Sequence, residues 1–245
     1  SSTSSSSANT ESDLAYVQNK GTLVVGITEF EPMDYQNTDG EWIGFDADLA
    51  KEFAESLGVT VEFQLIDWDN KVMELDGKTI DVVWNGMTLT EDVLAAMECS
   101  QPYLINQQVV VVPADVAEDY QTEESLADLN FAVEIGSAGC EVAQANGYSY
   151  TEVADQATAL LEVASGTADP AIIDSLMAGA MIGEGTSYAD MTSTVALTSE
   201  EYGVGFRKGS DLAATLNEFL SGKYADGSIQ TLAETYGVQD ALVQE

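Results

Sequence analysis

Short apolar runs alternate with stretches of helical periodicity, and this alternation restricts the fold more than any other feature of the chain. Residues 23–27 (LVVGI) predict a buried strand. Phe45, Leu49, Phe53 and Leu57 then recur every four residues, with Ala50 and Ala54 beside them, and predict a helix that Gly58 stops. Residues 61–65 alternate as a strand and end at Asp67-Trp68-Asp69; a short helix over 70–75 leads to a third strand at 80–84. Strand, helix, strand, helix, strand is the pattern of a parallel sheet with helices on its faces. Ligands bind such sheets outside the carboxyl ends of the strands. Asn85-Gly86-Met87-Thr88 stands at one of those ends, and Thr90 reads as the N-cap of the following helix. An ordinary strand-to-helix turn would have the same composition.

The pattern then restarts. Residues 109–112 predict a buried strand and 114–128 an acidic loop with a short helix. Residues 131–135 predict a strand, after which Gly136-Ser137-Ala138-Gly139 opens a helix. A helix over 157–164 is followed by Pro170, a strand at 171–173, and Asp174 at its carboxyl end. One more strand falls at 202–206, and helices over 211–224 and 228–236 close the chain. Residues 1–12 contain seven serines and predict a disordered tether.

Charge and composition exclude several classes. The chain has 43 acidic and 7 basic residues among 245, a formal −36, which repels nucleic acid and anionic lipid and attracts small cations. Adaptation to a salty or acidic habitat explains such a surface without any specific ligand. There is no histidine, so histidine-based triads, general bases and most transition-metal sites are absent, and neither a metal nor a cofactor is expected. Two cysteines, Cys99 and Cys140, are too few for a disulfide scaffold.

Several motifs occur together in order: GEWIGFDADLAKEFAESLGV, IDWDN, DVVWNGMTLTED, SQPY, AVEIGSAG, ADPAIID, YGVGFRKGSDLAATLN and ADGSIQTLAETYG. The set, over about residues 20–237, resembles the polar amino acid class of extracytoplasmic solute-binding proteins of ABC importers. The resemblance implies an α/β fold of the periplasmic-binding-protein type. It implies two lobes, each a central mostly parallel sheet flanked by helices, joined by two crossing strands near 105–109 and 201–205. Residues 13–106 and 203–245 would form the first lobe and 107–202 the second, with the ligand between them. It also implies a monomer that delivers an amino acid or amine to a membrane permease, located outside the cytoplasm in the periplasm or on the cell surface. The Ser-rich start looks like a lipoprotein tether, with the lipid anchor as the only membrane contact.

Matched to the family's pocket motifs, Phe30 and Trp68 occupy the positions of two aromatics that flank the ligand, although two core aromatics would read the same way. Asn85, Gly86 and Thr88 match the hydrogen-bonding strand-end loop. Ser137 and the amides of Ala138 and Gly139 form an anion-friendly helix start. Asp174 matches the carboxylate that pairs with a ligand α-ammonium, and Glu29 and Glu134 lie near pocket positions. One departure matters: where relatives carry an arginine that clamps the α-carboxylate, this chain has Val93, and its single arginine, Arg207, matches a segment away from the pocket. The expected site therefore keeps an acid and has no basic anchor. A lobe-to-lobe Cys99–Cys140 bridge would hinder opening, so free thiols are expected. The alternatives are a cyclohexadienyl-dehydratase-like enzyme, with Glu134 or Asp174 as general acid, and a ligand-sensing module; neither outranks a non-enzymatic receptor.

Overall fold

A computed structural model describes residues 12–244. The predicted tether at 1–12 lies outside them apart from Ser12, whose side chain caps α1 (Asp13–Lys20) by accepting from the Ala15 amide. The first sheet gathers β1 (Thr22–Ile27), β4 (Thr60–Leu65) and β5 (Val82–Thr88) in parallel, in the order β4-β1-β5. A small hairpin, β2 (Tyr35–Gln36) and β3 (Trp42–Ile43), stands apart from it. Apolar side chains on both faces of β5 explain its burial from Val82 to Met87: Val82 and Trp84 enter the core beneath α2 (Phe45–Ser56), whereas Val83 and Met87 pack with Leu75, Ile80 and Val93 on the other face. The four-residue repeat of α2 lands as expected, with Phe45, Leu49, Phe53 and Leu57 all buried. Next come α3 (Lys71–Asp76), preceded by a 3-10 turn at Trp68–Asn70, and α4 (Glu91–Ala96), capped by the Thr90 hydroxyl.

The chain crosses from β7 (Leu104–Asn106), after the short β6 (Glu98–Cys99), into β8 (Gln108–Pro113). The second sheet runs β10-β9-β11-β8-β12, with β9 (Asn130–Glu134), β10 (Ser149–Val153), β11 (Ala171–Asp174) and β12 (Met191–Ala196). Strand β8 is antiparallel to both its neighbours. Alternate residues of β8 divide between two cores: Val109 and Val111 on the face of α6 (Gln156–Ser165), and Val110 and Val112 on the face of α5 (Ala138–Ala145). Helix α7 (Ser175–Met181) follows Asp174 directly.

The return strand β13 (Glu200–Phe206) lies antiparallel to β5, β6 and β7, and so closes the first sheet. Helices α8 (Leu212–Ala225) and α9 (Ser228–Thr235) then pack on the first lobe. At the crossing, Glu200 Oε1 accepts from Thr88 Oγ1 at 2.9 Å, Asn106 Nδ2 at 2.9 Å and Gln108 Nε2 at 2.6 Å. One carboxylate therefore gathers donors from both sheets where the two strands cross.

The basic residues are placed unevenly. Residues 107–199, which carry the second sheet, contain 15 carboxylates and no Lys or Arg, so all seven bases lie on the side of the first sheet. Arg207 is structural there: its guanidinium binds Asp13 at 2.7 Å and Asp81 at 2.9 Å and donates to the carbonyls of Leu75 and Ile80. It ties α1 to the end of the sheet. Cys99 and Cys140 are both free, one in each lobe.

Candidate functional site

The carboxyl ends of β5, β9 and β11 converge on a cavity of about 530 Å³ between the lobes. Of the residues singled out in the sequence, Trp68, Asn85, Gly86, Thr88, Glu134, Ser137, Ala138 and Asp174 line it. Several of them are already engaged. Asn85 and Thr28 exchange two hydrogen bonds, Asn85 Oδ1 accepting from the Thr28 amide at 2.9 Å and Nδ2 donating to Oγ1 at 2.7 Å. The Gly86 amide donates to Asp46 Oδ2 at 2.6 Å, and Thr88 belongs to the Glu200 cluster. Ser137 caps α5, accepting from the Cys140 amide at 3.1 Å and donating to the Glu134 carbonyl at 2.7 Å. Val93, the residue in place of the family arginine, does border the cavity and is 8% exposed.

Phe30 and Glu29 do not line this cavity. Gly86 has φ +56°, and a Cβ there would meet the Phe30 ring at 2.2 Å; the ring fills the space behind the glycine and packs edge-on against Tyr202 in the first-lobe core. Glu29 is exposed, and burial, followed by Asp155 and Glu31, raises its pKa.

The acids of the cavity are poorly solvated. Asp174 is 4% exposed, accepts from Gln108 Nε2 at 2.7 Å and from the Tyr202 hydroxyl, and burial, with Glu200 adding, pushes its pKa to about 7. Burial, with Asp174 next, also holds Glu134 well above the usual carboxylate range. Asp69, Asp92, Glu141 and Glu152 complete the acidic lining.

Against them stands one base, Lys71, which overturns the expectation of a site without a cation. It begins α3, borders the cavity and is 9% exposed. Its Nζ lies 4.7 Å from the centroid of the Trp68 ring, 3.3 Å from the Trp68 carbonyl oxygen and 3.5 Å from that of Gly136 in the opposite lobe. Burial lowers its pKa while Glu134 pulls it back up. The three-residue spacing Trp68-x-x-Lys71 at a helix start is the signal that sequence reading passed over, because it puts the ammonium over the indole. At the same rim Gly136 lies close against Asp69. Gly136 has φ +69°, and a Cβ on it would stand 2.7 Å from Asp69 Oδ1 and 3.0 Å from Asp69 Cα.

The sequence profile of the bacterial extracellular solute-binding proteins, family 3, matches residues 23–239. The chain is 28% identical over 224 residues to the L-cystine-binding protein TcyJ of Escherichia coli (strain K12), covering 90% of this chain and 84% of that one. It is 28% identical over 227 residues to the arginine-binding extracellular protein ArtP of Bacillus subtilis (strain 168), covering 89% and 86%. Among solved structures, a mutant of ArgBP from T. maritima superposes with a TM-score of 0.84 at 32% identity, covering 91% of this chain and 98% of that one. A histidine-bound substrate-binding protein of an ABC uptake transporter from Streptococcus pneumoniae does so with a TM-score of 0.84 at 27% identity, covering 95% and 98%. With two sheets, two crossing strands and a cavity at the strand ends, the chain belongs to the bacterial extracellular solute-binding proteins, family 3.

Proposed function

We propose that this protein is the extracytoplasmic receptor of an ABC importer, that it captures an amino acid or amine between its lobes, and that it presents the closed complex to a membrane permease. Asp174 carries the reading: a buried carboxyl at a strand end, on the cavity wall, with a pKa raised to about 7, gains most from a ligand ammonium that lets it ionise. The second Nδ2 hydrogen of Asn85 and the Ala138 amide supply polar contacts on the two facing walls, with Ser137 holding the helix start in place. A carboxylate side chain would meet six acids and one base, so the ligand is neutral or basic and not acidic. The relatives named for amino acids support the ligand class. A monomer held at the periplasmic or outer cell surface, with a lipid anchor preceding the fold, fits this role.

A thermal-shift and calorimetry panel of amino acids, amines and quaternary ammonium compounds tests the reading. A cognate ligand at 100 times its Kd stabilises the folded form by about 2.7 kcal/mol. A binder is expected among the neutral or basic members, and glutamate and aspartate are expected to fail. Tight glutamate binding at moderate salt would reverse the charge argument.

Gly136→Ala is expected to obstruct closure. The methyl group meets Asp69 of the other lobe, and the positive φ strains any residue but glycine, at about 1–2 kcal/mol. Affinity for the ligand found in the panel should fall roughly tenfold, since tenfold is about 1.4 kcal/mol, with each lobe still folded by circular dichroism. Full affinity in a folded variant would mean that the bound state does not bring Gly136 onto Asp69.

A further inference from the structure

The first lobe fastens six of its seven bases to its own surface. Lys20 pairs with Asp81 at 2.5 Å, Lys51 with Asp48 at 3.8 Å, and Lys223 with Glu52 at 3.1 Å. Lys78 lies over the Tyr16 ring, Lys208 bonds the Leu94 and Met97 carbonyls, and Arg207 joins Asp13 to Asp81. Lys71 alone borders the cavity. Its ammonium has the surroundings that a ligand's cationic side chain would seek: the face of an indole, two carbonyl oxygens and the nearby Glu134 carboxyl, in a corner from which water is largely excluded. A second cation in that corner would face a like charge in a poorly screened environment.

We propose that Lys71 determines the specificity of the cleft: its ammonium fills the corner formed by Trp68, Gly136 and Glu134, so that ligands with a cationic side chain are turned away and ligands with a neutral one of the same shape are admitted. This rests on the amino acid reading of the cleft and narrows it. The chain has placed its own cation where a basic ligand would put one. The ammonium also reaches the Gly136 carbonyl of a lobe that has no base, so the same contact holds the rim closed over a neutral ligand.

The test compares matched pairs that differ in side-chain charge, arginine with citrulline and lysine with norleucine, by calorimetry on the wild type, Lys71→Met and Lys71→Arg. The wild type is expected to prefer the neutral member of each pair by about tenfold or more, as like-charge juxtaposition disfavours the other. Lys71→Met retains the stem and removes the charge, and should move both ratios at least about tenfold toward the cationic member. Lys71→Arg retains the charge and should keep the wild-type preference, so that a change common to both variants marks a shape effect and overturns the proposal. Wild-type preference for arginine over citrulline overturns it, as do ratios that Lys71→Met leaves unmoved. In those cases amino acids still bind and the receptor reading stands. If no amino acid or amine binds wild type or variants, both readings fall together.

Discussion

Asp174→Asn is expected to weaken binding of the cognate ligand by about 2–5 kcal/mol, roughly 30-fold to several-thousand-fold, as breaking one side of a desolvated charge pair does. The carboxyl is 4% exposed and already accepts from the Tyr202 hydroxyl and Gln108 Nε2. An arriving ammonium adds a third donor, and the raised pKa means that part of the binding free energy goes into ionising the acid near neutral pH. The sign follows: wild-type affinity should rise between pH 6 and pH 8 as Asp174 ionises, protons being released on binding at the lower pH, and this pH dependence should be reduced in the Asn variant to the part that Glu134 contributes. Because Asn presents one oxygen where two donors now point, the variant's melting temperature must be measured beside its affinity. Unchanged affinity, together with an unchanged pH profile, would remove Asp174 from the ligand site.

The second large effect concerns stability. Asp34 is fully buried with neither carboxyl oxygen hydrogen-bonded among the described residues; burial, then Asp46 and Asp48, raises its pKa well above the usual range. Asp46, also fully buried, accepts from the Gly86 amide and from the Tyr103 hydroxyl at 2.7 Å, yet burial still raises it to about 7. Glu134 and Asp174 are raised in the same way. A carboxyl whose pKa is higher folded than unfolded makes the folded state bind more protons, so stability falls as pH rises from about 4 toward 7. Each such group contributes about 1.4 kcal/mol per pH unit within that window. In a chain of this size 1 kcal/mol moves Tm by roughly 2–4 °C. The melting temperature is therefore expected to be several degrees higher at pH 5 than at pH 7.5. Self-repulsion of a −36 chain acts in the same direction. The comparison belongs in about 1 M salt, where the screening length is near 3 Å, with Asp34→Asn and Asp46→Asn as the variants that should flatten the dependence. A Tm that climbs steadily from pH 5 to pH 7.5 in all three proteins would show that these acids are ionised in the folded state.

What the sequence disclosed of this fold divides along burial. Strands β1, β5, β8, β9 and β11 are interior to their sheets, and their apolar runs announced them. Strand β12, with Thr192, Ser193 and Thr194 along its length, lies at a sheet edge and has no such run. Strand β10 is the opposite edge and is mostly exposed. Helix α1 is held by Arg207, Asp81 and Asp211, partners from about 60 to about 200 residues away that no local period can encode. The site divides similarly. Asn85, Thr88, Ser137 and Asp174 stand at strand and helix ends, where position in the pattern implies position at the cavity. Phe30 follows a strand too, but the space behind a left-handed glycine drew it into the core. Glu200 precedes the strand predicted at 202–206 and carries no local signal, because its role needs Thr88, Asn106 and Gln108 to arrive from two sheets. Lys71 was missed because a lone lysine at a helix start is usually solvated, and here it is buried between Trp68 and the Gly136 carbonyl of the opposing lobe.

The stretch 107–199, which carries the second sheet, has 15 carboxylates and no Lys or Arg and cannot neutralise itself. When the cleft shuts, the lobe it forms approaches another of like net sign, and Lys71 is the one cation on the cavity wall between them. The remaining work is done by the ionic atmosphere: sodium, potassium or other counterions must gather in the narrowing gap as the lobes meet. Dissolved salt is in that sense a co-ligand of the closed form, taken up with the captured molecule and set free with it. The readiness of this receptor to close is thereby tied to the salinity of the medium in which it works.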